Sequence, residues 1–155
     1  MPGVAYTGKL SVVAHAYLDI VNAVKVANNI QDVYYGNQVM FPRTPCVVVE
    51  PDTKNATIRN APRGTLNTFR VIVLIVHSKV QDSQITRDEA DVLAEALETE
   101  FHRAVYKTLP DGIGQDRVVH QFVVRVESGF VNRQNSDFMT TKITLEAENV
   151  TQLPY

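Results

Sequence analysis

The sequence predicts a single α+β domain spanning residues 1–155. The expected architecture is a mostly antiparallel four-stranded sheet with two helices on one face, in the order α-β-β-α-β-β, with an arm projecting between the first two strands. Three observations predict it. Residues 69–77 (FRVIVLIVH) are apolar on both alternations apart from Arg70, the pattern of a central strand covered on both sides. Residues 86–106 form a long amphipathic run opened by Thr86 and Glu89 at capping-box spacing. Residues 138–147 alternate cleanly, with Met139, Thr141, Ile143, Leu145 and Ala147 on one side and Thr140, Lys142, Thr144 and Glu146 on the other.

The elements follow in order. Val13, Tyr17, Ile20 and Val24 recur at helical spacing and predict a helix over 10–27, with Ser11 as a candidate cap and Asn28-Asn29 as the exit. Residues 30–35 read either as a short edge strand or as irregular chain, before a turn at Gly36-Asn37. Pro42 and Pro45 bracket an extended entry into a strand over 46–50 (CVVVE), expected to stop at Pro51. Residues 52–68, rich in Asn, Thr, Pro, Arg and Gly, read as the arm, either an extended hairpin or a surface loop.

In the second predicted helix, Ala90, Leu93, Leu97, Phe101 and Ala104 line one face, and Pro110, Asp111 and Gly112 end the segment. Asp88, Glu89 and Asp91 lie near its positive start, and Arg103 and Lys107 near its negative end. Residues 118–131 read as a strand, whole or broken at Ser128-Gly129. A polar turn over 132–137 then joins it to the last strand through a loop longer than the tightest hairpin type.

The bulk numbers bound the function. With 155 residues the chain is long enough for one core without staples. Its single cysteine, Cys46, permits no internal disulfide and fits a reducing compartment. No apolar run approaches a membrane span and no signal peptide is evident, so a product of the cytoplasm without a membrane partner is expected. A net charge of −2 argues against a dedicated nucleic-acid binder.

The charge is unevenly placed. No acid occurs over residues 53–81, which carry Lys54, Arg59, Arg63, Arg70 and Lys79, whereas residues 82–100 hold seven acids and one base, Arg87. Such asymmetry either marks two solvated faces or lets the basic part of one copy meet the acidic part of another. A strand apolar on both sides, beneath helices on one face only, also leaves a second face for the arm, a further helix or a neighbouring subunit to cover.

Catalytic motifs are missing. His15, His77, His102 and His120 fit no zinc pattern, and Glu98 with His102 is a helical i,i+4 pair short of further ligands. Cys46 sits in an apolar strand entry, and there is no phosphate loop, dinucleotide fingerprint or nucleophile elbow. No enzyme activity, cofactor or metal is expected.

Four stretches carry a family resemblance: the N-terminal helix leading to Val33-Tyr34-Tyr35-Gly36; Pro45-Cys46-Val47-Val48-Val49-Glu50-Pro51; the polar arm with the apolar strand ending at Val76-His77; and the acidic helix over 86–102 with the terminal hairpin over 119–148. In order and length they resemble the tail-terminator and tail-completion (neck) proteins of long-tailed bacteriophages. The resemblance spans nearly the whole chain and is one of pattern, without a diagnostic motif. It implies a ring, usually a hexamer, at the head-proximal end of the tail. Such a ring ends tail-tube polymerisation and presents a surface to the head connector, and genome DNA passes through its lumen without sequence-specific binding. The implied partners are further copies of the chain, the tail tube protein and a head-completion or connector protein, and the implied location is the virion neck after assembly in the host cytoplasm.

A closed ring needs two different patches that meet head to tail. The candidates are Arg59, Arg63 and Arg70 on the basic side and Asp88, Asp91 and Glu95 on the acidic helix. The alternatives are a small ferredoxin-like binding or adaptor module contacting nucleic acid, and an enzyme whose site assembles from dispersed groups such as His77, Glu98 and His102.

Overall fold

A computed structural model of the chain describes residues 10–38, 40–59, 64–80, 87–103 and 117–152. The element order is α1 (Leu10–Ala23), β1 (Asp32–Tyr35), β2 (Cys46–Arg59), β3 (Gly64–Lys79), α2 (Arg87–Arg103), β4 (Arg117–Arg133) and β5 (Ser136–Gln152). The strands form one five-stranded mixed sheet in the order β1-β2-β3-β5-β4. This corrects the predicted four-stranded, mostly antiparallel sheet of order α-β-β-α-β-β. It also differs from the β-α-β-β-α-β order of a ferredoxin-like module.

The extra strand is β1, which runs parallel to β2 with Asp32 beside Cys46 and Tyr35 beside Val49. Parallel neighbours usually need a crossover of a dozen or more residues, often helical. Here only residues 36–45 make the return, so the sequence offers no helix to signal it. Gly36, at φ 85°, begins the return, and Gln31 N–H donates to Pro45 O at 2.8 Å where β1 and β2 both begin. Arg43 clamps the same junction by bonding Asp32 through both its Nε and Nη2 atoms.

The helix expected over 10–27 ends at Ala23, and the turns that follow close by a nameable device. Ile30 N–H reaches Lys25 O at 2.9 Å, Asn29 N–H reaches Val26 O at 3.2 Å, and Asn29 sits at φ 57°. This is the Schellman arrangement, with asparagine in the left-handed position and Ile30 buried just beyond it. Ser11 lies within α1 rather than at its cap. In α2, Ala90, Ala94, Leu97 and Phe101 are buried. Thr86 of the expected capping box, Ala104 on the expected apolar face and the terminating residues 110–112 lie outside the described residues.

Pro51 does not end its strand. The register shifts between Pro51 and Thr53, a bulge that absorbs the missing donor, and β2 continues to Arg59 opposite Gly64 of β3. The arm is therefore a hairpin extension, and it does not project alone. β3 pairs with β5 as far as Gln152, and β5 pairs with β4 as far back as Arg117. The distal end is thus a four-stranded continuation of the sheet.

β4 runs unbroken through Ser128-Gly129, with register shifts after Val118 and Val123. It meets β5 through a two-residue turn with both Gln134 (φ 51°) and Asn135 (φ 62°) left-handed. That is the tight hairpin geometry, not the longer loop expected. Without a glycine at either position, the turn carries no sequence signature.

Both helices pack on one face of the sheet, here the helix face. Val47, Val49, Phe69, Val71, Val73, Ile75, Ile143, Leu145 and Ala147 meet Val13, Tyr17, Val21, Leu97 and Phe101 in one buried cluster. Each fully buried large side chain there contributes about 1.5–3 kcal/mol. Tyr17 lies edge-on to Phe101 at 5.8 Å and donates its hydroxyl to Gln121 Oε1 at 3.0 Å. Gln121 in turn donates to Phe101 O at 3.2 Å, so the buried polar groups joining α1, α2 and β4 are satisfied.

Candidate assembly surfaces

The opposite, far face of the sheet decides how much surface a single copy leaves uncovered. At one end Cys46, Val48, Val76 and Phe138 form a second, smaller cluster. It is roofed by Phe41, whose ring packs edge-on to Phe138 at 5.2 Å. The roof comes from the return between β1 and β2, not from the arm, a helix or a neighbouring subunit. Burial pushes the Cys46 thiol up to about 12, so it is an inert core group.

The middle of the far face is polar. Thr140 and Thr144 are buried, and Arg70 Nη2 donates to Glu146 Oε1 at 2.8 Å across β3 and β5. A shallow concavity beside this pair holds charges of both signs, Asp52, Arg70, Arg125, Glu127 and Lys142. Apolar groups return at the edge strand, where Phe122 and Val124 are 40% and 45% exposed.

The residues nominated from sequence are distributed as follows. Arg70 is on the far face and already paired with Glu146. Arg59 closes β2, and Arg63 lies outside the described residues. Asp88 and Glu95 are exposed on α2, while Asp91 meets Arg87 Nε at 3.3 Å. Arg87 is anchored to the sheet through Thr140 O at 3.0 Å and Thr141 Oγ1 at 2.8 Å. The acids and Arg70 therefore stand on opposite sides of the sheet, where no single copy can bring them together.

Two further features had no signal in the linear pattern. On the far face, Met40, Phe41 and Phe138 floor a concavity of about 230 Å³ rimmed by Lys79 and Arg133. On the outer side of α2, Val92 is 67% exposed. The cavity depends on a loop and a hairpin end more than 90 residues apart in sequence, which only the fold joins.

The groups proposed for a dispersed catalytic site do not converge. His77 is buried beside the start of α2, with Nε2 2.8 Å from Thr141 Oγ1. Desolvation, with Arg87 nearby, lowers its pKa to about 4. Glu98 and His102 pair at 3.5 Å near the other end of α2, on the order of 16 Å along the helix from Arg87. Among the described residues no three metal-ligating side chains cluster, and no helix is long and apolar enough to cross a membrane.

Fold and surfaces together define an α+β sheet protein with an acidic helix on one face of the sheet and charges of both signs on the other. No protein-family model matches the chain, and no curated protein matches it by sequence. Among solved structures, it is similar to a chain of the "Virion of native gene transfer agent (GTA) particle", with a TM-score of 0.54 and 15% sequence identity. The match covers 88% of this chain and 93% of that chain, and the likeness is one of fold.

Proposed function

We propose that the chain is a structural protein of a phage-like virion, and that it forms a closed ring at the head-proximal end of the tail. The ring ends the tail tube, meets the head-completion or connector protein, and lets the genome pass through its lumen without reading its sequence. The observation that carries this reading is the match of nearly the whole chain to nearly the whole of a virion-particle chain. The acidic helix on one side and the Lys79–Arg133 end of the far face on the other support it, because a ring is closed by unlike patches repeated head to tail. The charged far face supports it too, since it suits reversible docking better than further core.

Deletion of the gene in cells that make the particle tests the reading. The expected outcome is tails of uncontrolled length that are not joined to heads, restored by supplying the protein in trans. Normal particles lacking the protein would refute a structural role. Joined tails of normal length with a defect elsewhere would refute the neck position.

A further inference from the structure

Of the basic residues nominated as partners of the acidic helix, Arg70 is occupied by Glu146, and Lys79 and Arg133 are further candidates, although Arg133 Nη1 also donates to Asn132 O at 2.9 Å. Lys79 and Arg133 rim the far-face concavity, and neither forms an ion pair among the described residues. Strand register places both on the far face, because Lys79 sits opposite Phe138 and Arg133 opposite Ser136. The hollow is lined by polar groups, Gln134 and Ser136 among them, as well as by Met40, Phe41 and Phe138, and Met40, 53% exposed, is its accessible apolar group.

The other side of the molecule carries the inverse. Val92 projects from α2 at 67% exposure, with exposed Asp88 one turn before it and exposed Glu95 one turn after it on the same side. Neither carboxylate forms an ion pair among the described residues.

We propose that the Val92 knob of one copy seats in the Met40–Phe41–Phe138 concavity of the next, with Asp88 and Glu95 meeting Lys79 and Arg133. The occupant is a second copy of this chain. An aliphatic knob flanked by two carboxylates matches in charge a hollow flanked by two cations, where Met40 offers it an exposed apolar contact. Knob and hollow lie on opposite sides of the sheet, so the contact cannot satisfy itself within one copy and must propagate in one direction, as ring closure requires. The apolar contact provides affinity, and the charges set register and the rate of encounter. This interface rests on the ring reading and gives it residues.

Native mass spectrometry and light scattering on charge-reversed chains test it. The wild-type chain is expected to assemble. Lys79→Glu/Arg133→Glu and Asp88→Lys/Glu95→Lys are each expected to run as 17.3-kDa monomers with unchanged circular dichroism, since all four side chains are at least partly exposed. Mixing the two reversed chains restores unlike charge at both contacts and is expected to regenerate an assembly of alternating subunits. If wild type assembles and both reversed chains assemble equally well, the interface is refuted while the ring stands. If wild type stays monomeric, both are refuted. Reversed monomers that fail to combine on mixing would also overturn the pairing of these four residues.

Discussion

The two faces of the sheet are built on opposite terms. The helix face is an apolar layer packed under α1 and α2, with Val126 and Phe130 of the edge strand left exposed beyond it. The far face has one small apolar cluster under Phe41, a middle of threonines and the Arg70–Glu146 pair, and exposed apolar groups at Met40 and toward the edge strand. A single copy thus holds its fold mainly through one face. In the proposed ring, association would rest on local complementarity rather than on a bare hydrophobic layer. The apolar run of residues 71–76 reads as covered on both sides because its alternate residues serve two clusters. Val71, Val73 and Ile75 enter the large one, and Val76 the small one with Leu74 packed against it.

Substitutions sharpen the contrast, beginning with the largest effect. Phe101→Ala removes a ring from the helix-face core and the edge-on partner of Tyr17. It is expected to cost about 3–5 kcal/mol in urea unfolding. Phe41→Ala opens the small far-face cluster and should cost less, about 2 kcal/mol, because the roof lies at the molecule's rim. It should also weaken assembly, which Phe101→Ala at matched folded fraction should not. A Phe41→Ala loss as large as that of Phe101→Ala would make the two faces energetically equivalent.

His77 probes the helix face near the start of α2. Its folded pKa, about 4, lies below its ordinary value of 6.5, so between these pH values the unfolded chain binds more protons. Stability is therefore full above pH 6.5 and falls as pH drops toward 4, by about 1–3 kcal/mol from this group. Stability curves for wild type and His77→Gln should converge toward acid, and parallel curves would show that the ring is not held neutral. The smallest effect is expected for Arg70→Ala. Its side chain is 44% exposed, so loss of the Glu146 pair should cost at most about 1 kcal/mol, less at high salt.

The sequence made the long elements visible and hid the joints. Both helices, β4, β5 and the apolar parts of β2 and β3 over 46–50 and 69–77 are legible because apolar periodicity persists there, whereas the polar remainder of β2 and β3 reads as an arm. β1 was not settled, because four residues paired in parallel through a short non-helical return carry no periodic signal. Pro51 reads as a stop because a bulge cannot be seen in the chain itself. The Gln134-Asn135 turn lacks the glycine that announces its type. Of the candidate surfaces, the acids of α2 are legible as a charge run. The hollow proposed as their partner joins Met40, Phe41, Pro42, Lys79, Arg133 and Phe138, which only the folded sheet assembles.

Negative-stain electron microscopy of the purified chain tests the ring most directly. The expected images are closed annuli with a central opening and a single rotational symmetry, stable over a range of protein concentrations. Isolated 17.3-kDa particles at every concentration, or open filaments without closure, would contradict it.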